Sequence, residues 1–202
     1  MSSILNISSE VGRLRKVIVH PPGPELLAVT PSTREDFLYD DIIDLDGAAE
    51  EHRRFVSILK RYCEVLEVRE LLGETLENPQ ACEFLIQRSE EVTGDKGLGY
   101  SLLGLAPELL VERYIEGWLL PAGAFSRKLE IESYLLPPLP NLFFTRDASM
   151  MVGGGAIISS MRFASRWPEE VLMRTIFGFH PNFESVPILY DGSGERRKDF
   201  SL

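Results

Sequence analysis

The hydrophobic pattern at the start of the chain predicts a strand, a helix and a second strand. Residues 14–20 are rich in β-branched side chains and end at Pro21-Pro22-Gly23, which cannot continue a strand ladder. Apolar residues then recur at helical spacing over residues 48–62, with Asp46 before them as the predicted N-cap. Apolar and polar residues alternate over residues 64–69, as they do in a half-buried strand.

The middle of the chain has a helical pattern. Helix-forming residues fill 81–91, 106–118 and 125–135, and the segments 94–99 and 121–123 separate them. The pattern ends at Leu-Pro-Pro-Leu-Pro, residues 136–140, a sequence that favours a stiff extended segment. We interpret residues 73–136 as an all-helical insertion.

The last third repeats the order of the first. Residues 142–145 and 150–159 are strand-like, and the glycines at 153–155 predict a hairpin turn or a close approach of the backbone. A proline-started helix over 168–179 and a strand over 186–190 follow, and residues 197–202 begin a further element. We therefore divide the chain into a first unit (1–72), the insertion (73–136) and a second unit (137–202), on element order alone.

Composition and charge exclude several classes of function. The chain has 202 residues, 44% of them hydrophobic, and a net charge of -10, which opposes binding to nucleic acid or to anionic membranes and suits a small cationic ligand. Neither a membrane-spanning apolar run nor a signal-peptide pattern is visible, so we expect a cytoplasmic protein. Cys63, Cys82 and three scattered histidines give no metal-ligand spacing, and we expect no metal and no cofactor.

Candidate binding chemistry begins directly after the proline segment. Asn141, Thr145 and Asp147 lie there among aromatic residues. If the carboxylate of Asp147 is buried, it needs a cation or several hydrogen-bond donors. That cation could be a ligand or the neighbouring Arg146, and composition alone favours the internal Arg146 pair.

A second candidate is Arg166, which lies just before the proline-started helix. An arginine beside a helix N-terminus can hold a carboxylate bidentately. The alternative is a surface ion pair with Glu169 or Glu170, which would contribute little to stability. The residues by themselves leave these two interpretations even.

The chain resembles arginine deiminases, of the guanidino-group-modifying (pentein) superfamily, and the helical block resembles the insertion that separates these enzymes from smaller relatives. The ordered motifs that carry the resemblance cover nearly the whole chain; they are Glu10-Val11-Gly12-Arg13-Leu14-Arg15-Lys16-Val17, Thr30-Pro31-Ser32, Leu38-Tyr39-Asp40-Asp41, Glu51-His52-Arg53-Arg54-Phe55, Leu136-Pro137-Pro138-Leu139-Pro140-Asn141, Phe144-Thr145-Arg146-Asp147 and Phe179-His180-Pro181-Asn182-Phe183.

The resemblance implies an α/β fold, namely a partial pentein (α/β propeller) of about two ββαβ modules plus the α-helical insertion. It also implies hydrolysis of L-arginine to citrulline and ammonia through a cysteine-bound intermediate. In that interpretation Asp147 holds the guanidinium, Arg166 holds the α-carboxylate, Leu38 and Phe144 line the aliphatic stem, and Asn141 supports the site. A permanently charged planar guanidinium does require a fixed carboxylate.

The same resemblance places the nucleophilic cysteine and the acid/base His and Glu beyond this sequence, and neither Cys63 nor Cys82 matches the nucleophile. We therefore assign no catalytic residue to this chain and expect it to be inactive alone. An incomplete propeller would expose apolar flanks, so the expected partners are L-arginine or a related guanidine, together with a second copy or a complementing carboxy-terminal half. The alternatives are a non-catalytic arginine-binding or regulatory module and, disfavoured by the insertion, another guanidine enzyme such as an amidinotransferase.

Overall fold

The computed structural model describes residues 6–119 and 134–194 and has a mixed α/β architecture. Its helices are α1 (Leu45–Leu59), α2 (Val68–Leu76), α3 (Pro79–Thr93), α4 (Leu98–Leu102), α5 (Pro107–Glu116), α6 (Thr145–Ala148) and α7 (Trp167–Phe179). Its strands are β1 (Lys16–Val19), β2 (Glu64–Glu67), β3 (Trp118–Leu119), β4 (Tyr134–Leu136), β5 (Ser149–Val152), β6 (Gly155–Ile158) and β7 (Ile188–Asp191). None of the helices in these two ranges is long and apolar enough to cross a bilayer.

The first unit is a parallel strand pair joined by a helix. β1 and β2 pair in parallel with Lys16 opposite Glu64, and α1 forms the connection between them. The strand, helix and strand predicted from the pattern are confirmed. The predicted N-cap, Asp46, is wrong, because the cap lies two residues earlier, where the carboxylate of Asp44 accepts a hydrogen bond from the amide of Gly47, at 3.1 Å.

Residues 73–136, interpreted as an all-helical insertion, contain the end of α2, the helices α3, α4 and α5, and the strands β3 and β4, so the all-helical interpretation is wrong. α3 begins at Asn78, whose side chain accepts from the amide of Gln80, and ends at Gly94, which adopts a left-handed φ of 74°. The predicted helices over 81–91 and 106–118 correspond to α3 and α5. Residues 125–133 of the third predicted helix lie outside the described residues, as do residues 197–202, and its last residues form β4 instead, antiparallel to β3.

The second unit has the order strand, strand, helix, strand. β5 and β6 form the predicted antiparallel hairpin, with Gly153 at a φ of 56° in the turn, and β7 pairs in parallel with β6 after α7. Nine of the thirteen residues of α7 are buried. One apolar core joins this helix to the insertion; it includes Leu72, Leu85, Tyr114, Leu172 and Ile176.

The strand predicted over residues 142–145 is wrong. The amide of Leu142 donates to the carbonyl of Leu139 and the amide of Phe144 donates to that of Asn141, so the chain makes successive turns and enters α6. A run of apolar residues bounded by prolines fits a strand equally well on pattern alone. Here the local turn bonds satisfy the backbone, and no neighbouring strand is needed.

Candidate functional site

Arg166 lies at the start of α7 and is clamped by two carboxylates. Its Nε and Nη2 donate to the two carboxylate oxygens of Glu169, at 3.0 and 2.8 Å, and its Nη1 donates to Oδ2 of Asp147, at 2.8 Å. The side chain of Arg166 is 11% exposed, that of Glu169 is 1% exposed, and that of Asp147 is 50% exposed. The alternative interpretation, an ion pair of Arg166 with Glu169 or Glu170, is correct about the partner Glu169. It is wrong about the location, because the pair is buried and not at the surface.

Burial controls the titration of this cluster. Loss of solvation raises the pKa of Glu169 to about 7, and Asp147 adds to the rise, although the hydrogen bonds and charge of Arg166 act in the opposite direction. For Arg166, burial lowers the pKa, but its bonds to Glu169 and Asp147 outweigh that effect and leave the pKa raised. The guanidinium therefore stays charged, and Glu169 is the group in the cluster that changes protonation near neutral pH.

Asp147 lies in α6, the single helical turn that follows the proline segment. Its amide donates to the carbonyl of Phe144, at 3.0 Å, and the half-exposed ring of Phe144 lies 4.1 Å from that of Phe143. Arg146 forms a bidentate pair with Glu10, at 2.9 and 3.0 Å. The alternative of an Arg146–Asp147 pair is therefore wrong, because Asp147 pairs with Arg166.

Two long-range hydrogen bonds hold the segment that carries Leu38. The side-chain amide of buried Asn141 donates to the carbonyl of Phe37, at 2.8 Å, and the hydroxyl of Tyr39 donates to the carbonyl of Pro140, at 2.7 Å. Between these anchors Leu38 has a φ of 66°, a conformation that is costly for a branched side chain. The bonds hold the strained backbone so that Phe37 is buried while Leu38 stays 41% exposed.

The structure thus brings the five predicted residues into two linked groups. Asp147 and Arg166 are in direct contact, and Phe144 is bonded through its backbone to Asp147. Asn141 links the Leu38 segment to the loop that leads into α6. The roles predicted for these residues in binding arginine stay predictions.

The pattern alone missed two features beside the predicted residues, one half-buried and one buried. The first is Tyr39, whose pKa burial raises, with the charge of Glu169 adding to the rise. The second is the pair formed by His20 and Glu25, both almost fully buried, with 3.2 Å between Nε2 and Oε1; that oxygen also accepts from the amide of Gly23. No sequence signal marks either feature, because each depends on tertiary burial.

Metal-binding side chains and thiols are two further kinds of group that can carry catalytic chemistry. Within residues 6–119 and 134–194, no group of three or more His, Cys, Asp and Glu side chains is placed to hold a metal ion. The thiols of Cys63 and Cys82 donate to helix carbonyls, those of Leu59 and Leu76. Burial raises the pKa of Cys82, which lowers its thiolate fraction.

Comparison with known proteins identifies the family. The profile of the arginine deiminase family matches residues 35–99 and 112–200. The arginine deiminase of Rhodococcus erythropolis is 35% identical over 204 residues, which cover 93% of this chain and 50% of the relative. The arginine deiminases of Metamycoplasma arthritidis and Oenococcus oeni are 34% and 33% identical, with 93% and 92% of this chain and 48% and 49% of the relatives covered. The chain spans about half the length of these relatives. The chain therefore belongs to the arginine deiminase family.

Proposed function

We propose that this chain is the amino-terminal, substrate-binding part of an arginine deiminase, which converts L-arginine and water to L-citrulline and ammonia. In this proposal the two units are modules of a pentein propeller, and the rest of the propeller completes the site. The order strand, strand, helix, strand of the second unit supports the modular interpretation. The coverage of about half of each relative supports an incomplete site.

The contact between Asp147 and Arg166 is the observation that carries the proposal. Arginine has a guanidinium at one end and a carboxylate at the other, and this pair presents one group of each complementary charge. The two side chains now bond to each other, whereas the ends of arginine are separated by its aliphatic stem. Binding must therefore open the Asp147–Arg166 bond and replace it by one bond at each end of the substrate.

Catalysis in this proposal requires a nucleophile that the described part of the chain does not place at the site. A nucleophilic cysteine must lie next to a general base and must form thiolate readily. Cys63 and Cys82 lie elsewhere, one after α1 and the other in α3, and each donates to a helix carbonyl. We therefore propose that the 202-residue chain does not turn over arginine, and that the nucleophile and its acid/base partners come from the remaining part of the fold.

Calorimetry and a citrulline assay test this proposal. We expect the isolated chain to bind L-arginine weakly, if at all, and to form no citrulline, because the site is open and its two charges neutralise each other. Adding the carboxy-terminal half of a relative should restore turnover. Tight and specific binding without turnover would instead favour an arginine-sensing module, and turnover by the purified chain alone would contradict the missing catalyst.

The role of Asp147 is tested in the complemented protein. Asp147→Asn keeps the shape of the side chain but removes its charge, so we expect a loss of roughly 2 to 5 kcal/mol of substrate interaction, typical of a broken buried charge contact. Asp46→Asn, at an exposed position in α1, is the matched control and should bind normally. Unchanged arginine affinity in the Asp147 variant would exclude this residue as the guanidinium ligand.

We also propose that the chain associates with a second copy or with a carboxy-terminal half. Phe55, Ile58 and Tyr62 are exposed along and just after α1, and Leu189 is exposed on β7, an edge strand of the described sheet. Sedimentation at increasing concentration should show dimers or larger species. A stable monomer over the whole range would count against the incomplete propeller.

A further inference from the structure

The insertion and α7 meet at a buried hydroxyl group, that of Tyr114 in α5. The Tyr114 side chain is fully buried, and its hydroxyl lies 3.0 Å from Oγ of Ser89 in α3 and 3.3 Å from the carbonyl oxygen of Pro168 in the first turn of α7. Burial raises the pKa of Tyr114, although its bond to Ser89 acts against the rise, so the hydroxyl remains a donor at neutral pH. One side chain thus joins two helices of the insertion to the turn beside Arg166.

We infer that Tyr114 is a positioning residue, through which the helical insertion sets the place of Arg166. This inference rests on the proposed function, in which Arg166 holds the α-carboxylate of the substrate. It assigns the insertion a role in substrate recognition, although Tyr114 itself touches neither Arg166 nor the site around Asp147 through any bond among the described residues.

Pro168 is an effective point of attachment because its backbone has little freedom. Its ring fixes φ, and its carbonyl is its only backbone hydrogen-bonding group. Pro168 is buried together with Glu169 and Glu170, and Trp167 is partly buried. Rotation about the fixed φ of Pro168 cannot take up a shift of its carbonyl, so we expect part of the shift to reach Trp167 and Arg166.

The loop before α7 is fastened to the same turn. The indole N–H of Trp167 donates to the carbonyl of Met161, at 3.0 Å, and the amide of Met161 donates to the carboxylate of Glu170. Because both backbone groups of Met161 are held by the first turn of α7, the loop and the turn move together. In the chain, Arg166 lies between Met161 and Pro168, the two points that are held by hydrogen bonds. Its partner Glu169 lies in the same first turn of α7.

The hydroxyl groups of Ser89 and Tyr114 do not have enough hydrogens for all of their contacts. Ser89 and Tyr114 have two hydroxyl hydrogens, whereas three contacts need one each: Ser89 to the carbonyl of Leu85, Ser89 to Tyr114, and Tyr114 to the carbonyl of Pro168. The contact to Leu85 is the shortest, at 2.6 Å, and takes the hydrogen of Ser89. The hydrogen of Tyr114 is then shared between Ser89 and Pro168.

This sharing predicts opposite effects for two variants of the same network. Tyr114→Phe removes the donor and leaves the Pro168 carbonyl without this bond. Ser89→Ala removes the competing acceptor, so the hydrogen of Tyr114 goes to Pro168 alone. A merely structural role in the insertion core predicts loosening in both variants.

The rest of α7 has its own attachments to the insertion. The guanidinium of Arg174 lies 5.2 Å from the centre of the Phe84 ring, and that ring lies 5.3 Å from the ring of Phe179. Nε2 of His180 is 2.9 Å from a carboxylate oxygen of Glu74. These contacts remain in the Tyr114 variant, so its effect should be confined to the first turn.

Hydrogen–deuterium exchange of the 202-residue chain tests the link directly. Tyr114→Phe should speed exchange of the amides of residues 170–173 by about three- to tenfold, as expected for one lost hydrogen bond, with no change at the end of α7. Tyr100→Phe is the matched control, because Tyr100 is in the same insertion but 87% exposed. Equal exchange in these two variants, or faster exchange along all of α7, would overturn the inference.

Ser89→Ala keeps the inference testable even if the Tyr114 variant does not fold. Exchange of residues 170–173 should be no faster than in the unsubstituted chain, and faster exchange there would overturn the inference.

In the complemented enzyme, Tyr114→Phe should raise KM for arginine about three- to tenfold with kcat unchanged. A fall in kcat at constant KM would also overturn it. Failure of the proposed function is distinguishable, since the unsubstituted complemented protein would then form no citrulline while the exchange measurement still tests the link.

Discussion

The connecting helices of the two units, α1 and α7, have similar lengths but very different surroundings. Only Val56 is buried among the fifteen residues of α1, whereas nine of the thirteen residues of α7 are buried. α1 packs on a two-stranded sheet, and α7 packs between a three-stranded sheet and the insertion. The amount of a helix that is buried therefore depends on what covers it more than on its own pattern.

The apolar face of α1 shows this dependence. Phe55 and Ile58 follow helical spacing, as an amphipathic helix requires, yet both are about half exposed. The same spacing on α7 gives fully buried Leu172 and Ile176. An apolar stripe thus predicts which residues are able to be buried, while the neighbouring elements decide whether they are.

Ion pairs at the two helices differ in the same way. Glu50 and Arg54 are one turn apart on α1, 2.6 Å apart at their closest atoms, and largely exposed. Arg166 and Glu169 have nearly the same spacing at the start of α7 but are almost completely enclosed. Solvent weakens the first pair, whereas the second must be satisfied because burial leaves no water to replace a lost partner.

Truncation of an apolar side chain should show the largest difference between the helices. Leu172→Ala removes a fully buried side chain and should lower the free energy of unfolding by about 2 to 5 kcal/mol. Phe55→Ala removes an exposed ring and should change it by no more than about 0.5 kcal/mol. Urea unfolding followed by circular dichroism measures both. Equal losses would show that the face of α1 is covered in solution.

Loss of one carboxylate should give an intermediate effect. Glu169→Ala leaves the buried guanidinium of Arg166 with Asp147 alone and should cost about 1 to 3 kcal/mol. Glu50→Ala on α1 is the matched control and should cost about 0.3 to 0.5 kcal/mol. The same unfolding measurement applies, and added salt should reduce the cost only at Glu50. A cost at Glu169 as small as that at Glu50 would contradict a buried clamp.

The dependence of stability on pH should give the smallest effect. The pKa of Glu169 is raised by burial to about 7, above its unfolded value, so the folded state binds more protons between the two. Stability from this group is present below the unfolded pKa and is lost as pH rises toward about 7. Compared with the Glu169→Gln variant, the unsubstituted chain should lose on the order of 1 kcal/mol of its free energy of unfolding as the pH rises from about 5 to 7.

Measuring the difference between these two proteins cancels the groups they share. One such group is Asp191. Burial raises its pKa, but its bonds to Ser193 and Arg174 outweigh that effect and leave the pKa lowered. The stability that Asp191 contributes is therefore lost as the pH falls, opposite to the effect of Glu169. The two stability curves should run parallel above about pH 7 and diverge below it. Parallel curves over the whole range would show that folding does not raise the pKa of Glu169.

The sequence by itself determined the elements that depend on neighbours in the chain. The β-branched run of β1, the glycine turn of the hairpin at Gly153 and the proline start of α7 were all predicted correctly, because short-range sterics and turn preferences decide them. The sequence context also indicated Asp147 and Arg166 as candidates, and the family resemblance supplied their predicted roles. The roles predicted for Asp147 and Arg166 depend on which side chains surround them in the fold, and a local sequence pattern does not show this.

The tertiary structure alone decided how those residues meet. No periodicity predicts that Asp147 bonds to Arg166, that Asn141 holds the strained backbone at Leu38, or that Tyr114 reaches Pro168. Each contact joins residues at least 19 positions apart in the chain. The contacts of Asn141 and Tyr114 are buried, where the exclusion of water strengthens them, whereas Asp147 is half-exposed. Such contacts exist only after the fold has formed. The sequence therefore indicated Asp147, Arg166 and Asn141 as candidates, whereas packing fixed their geometry and brought in Tyr114.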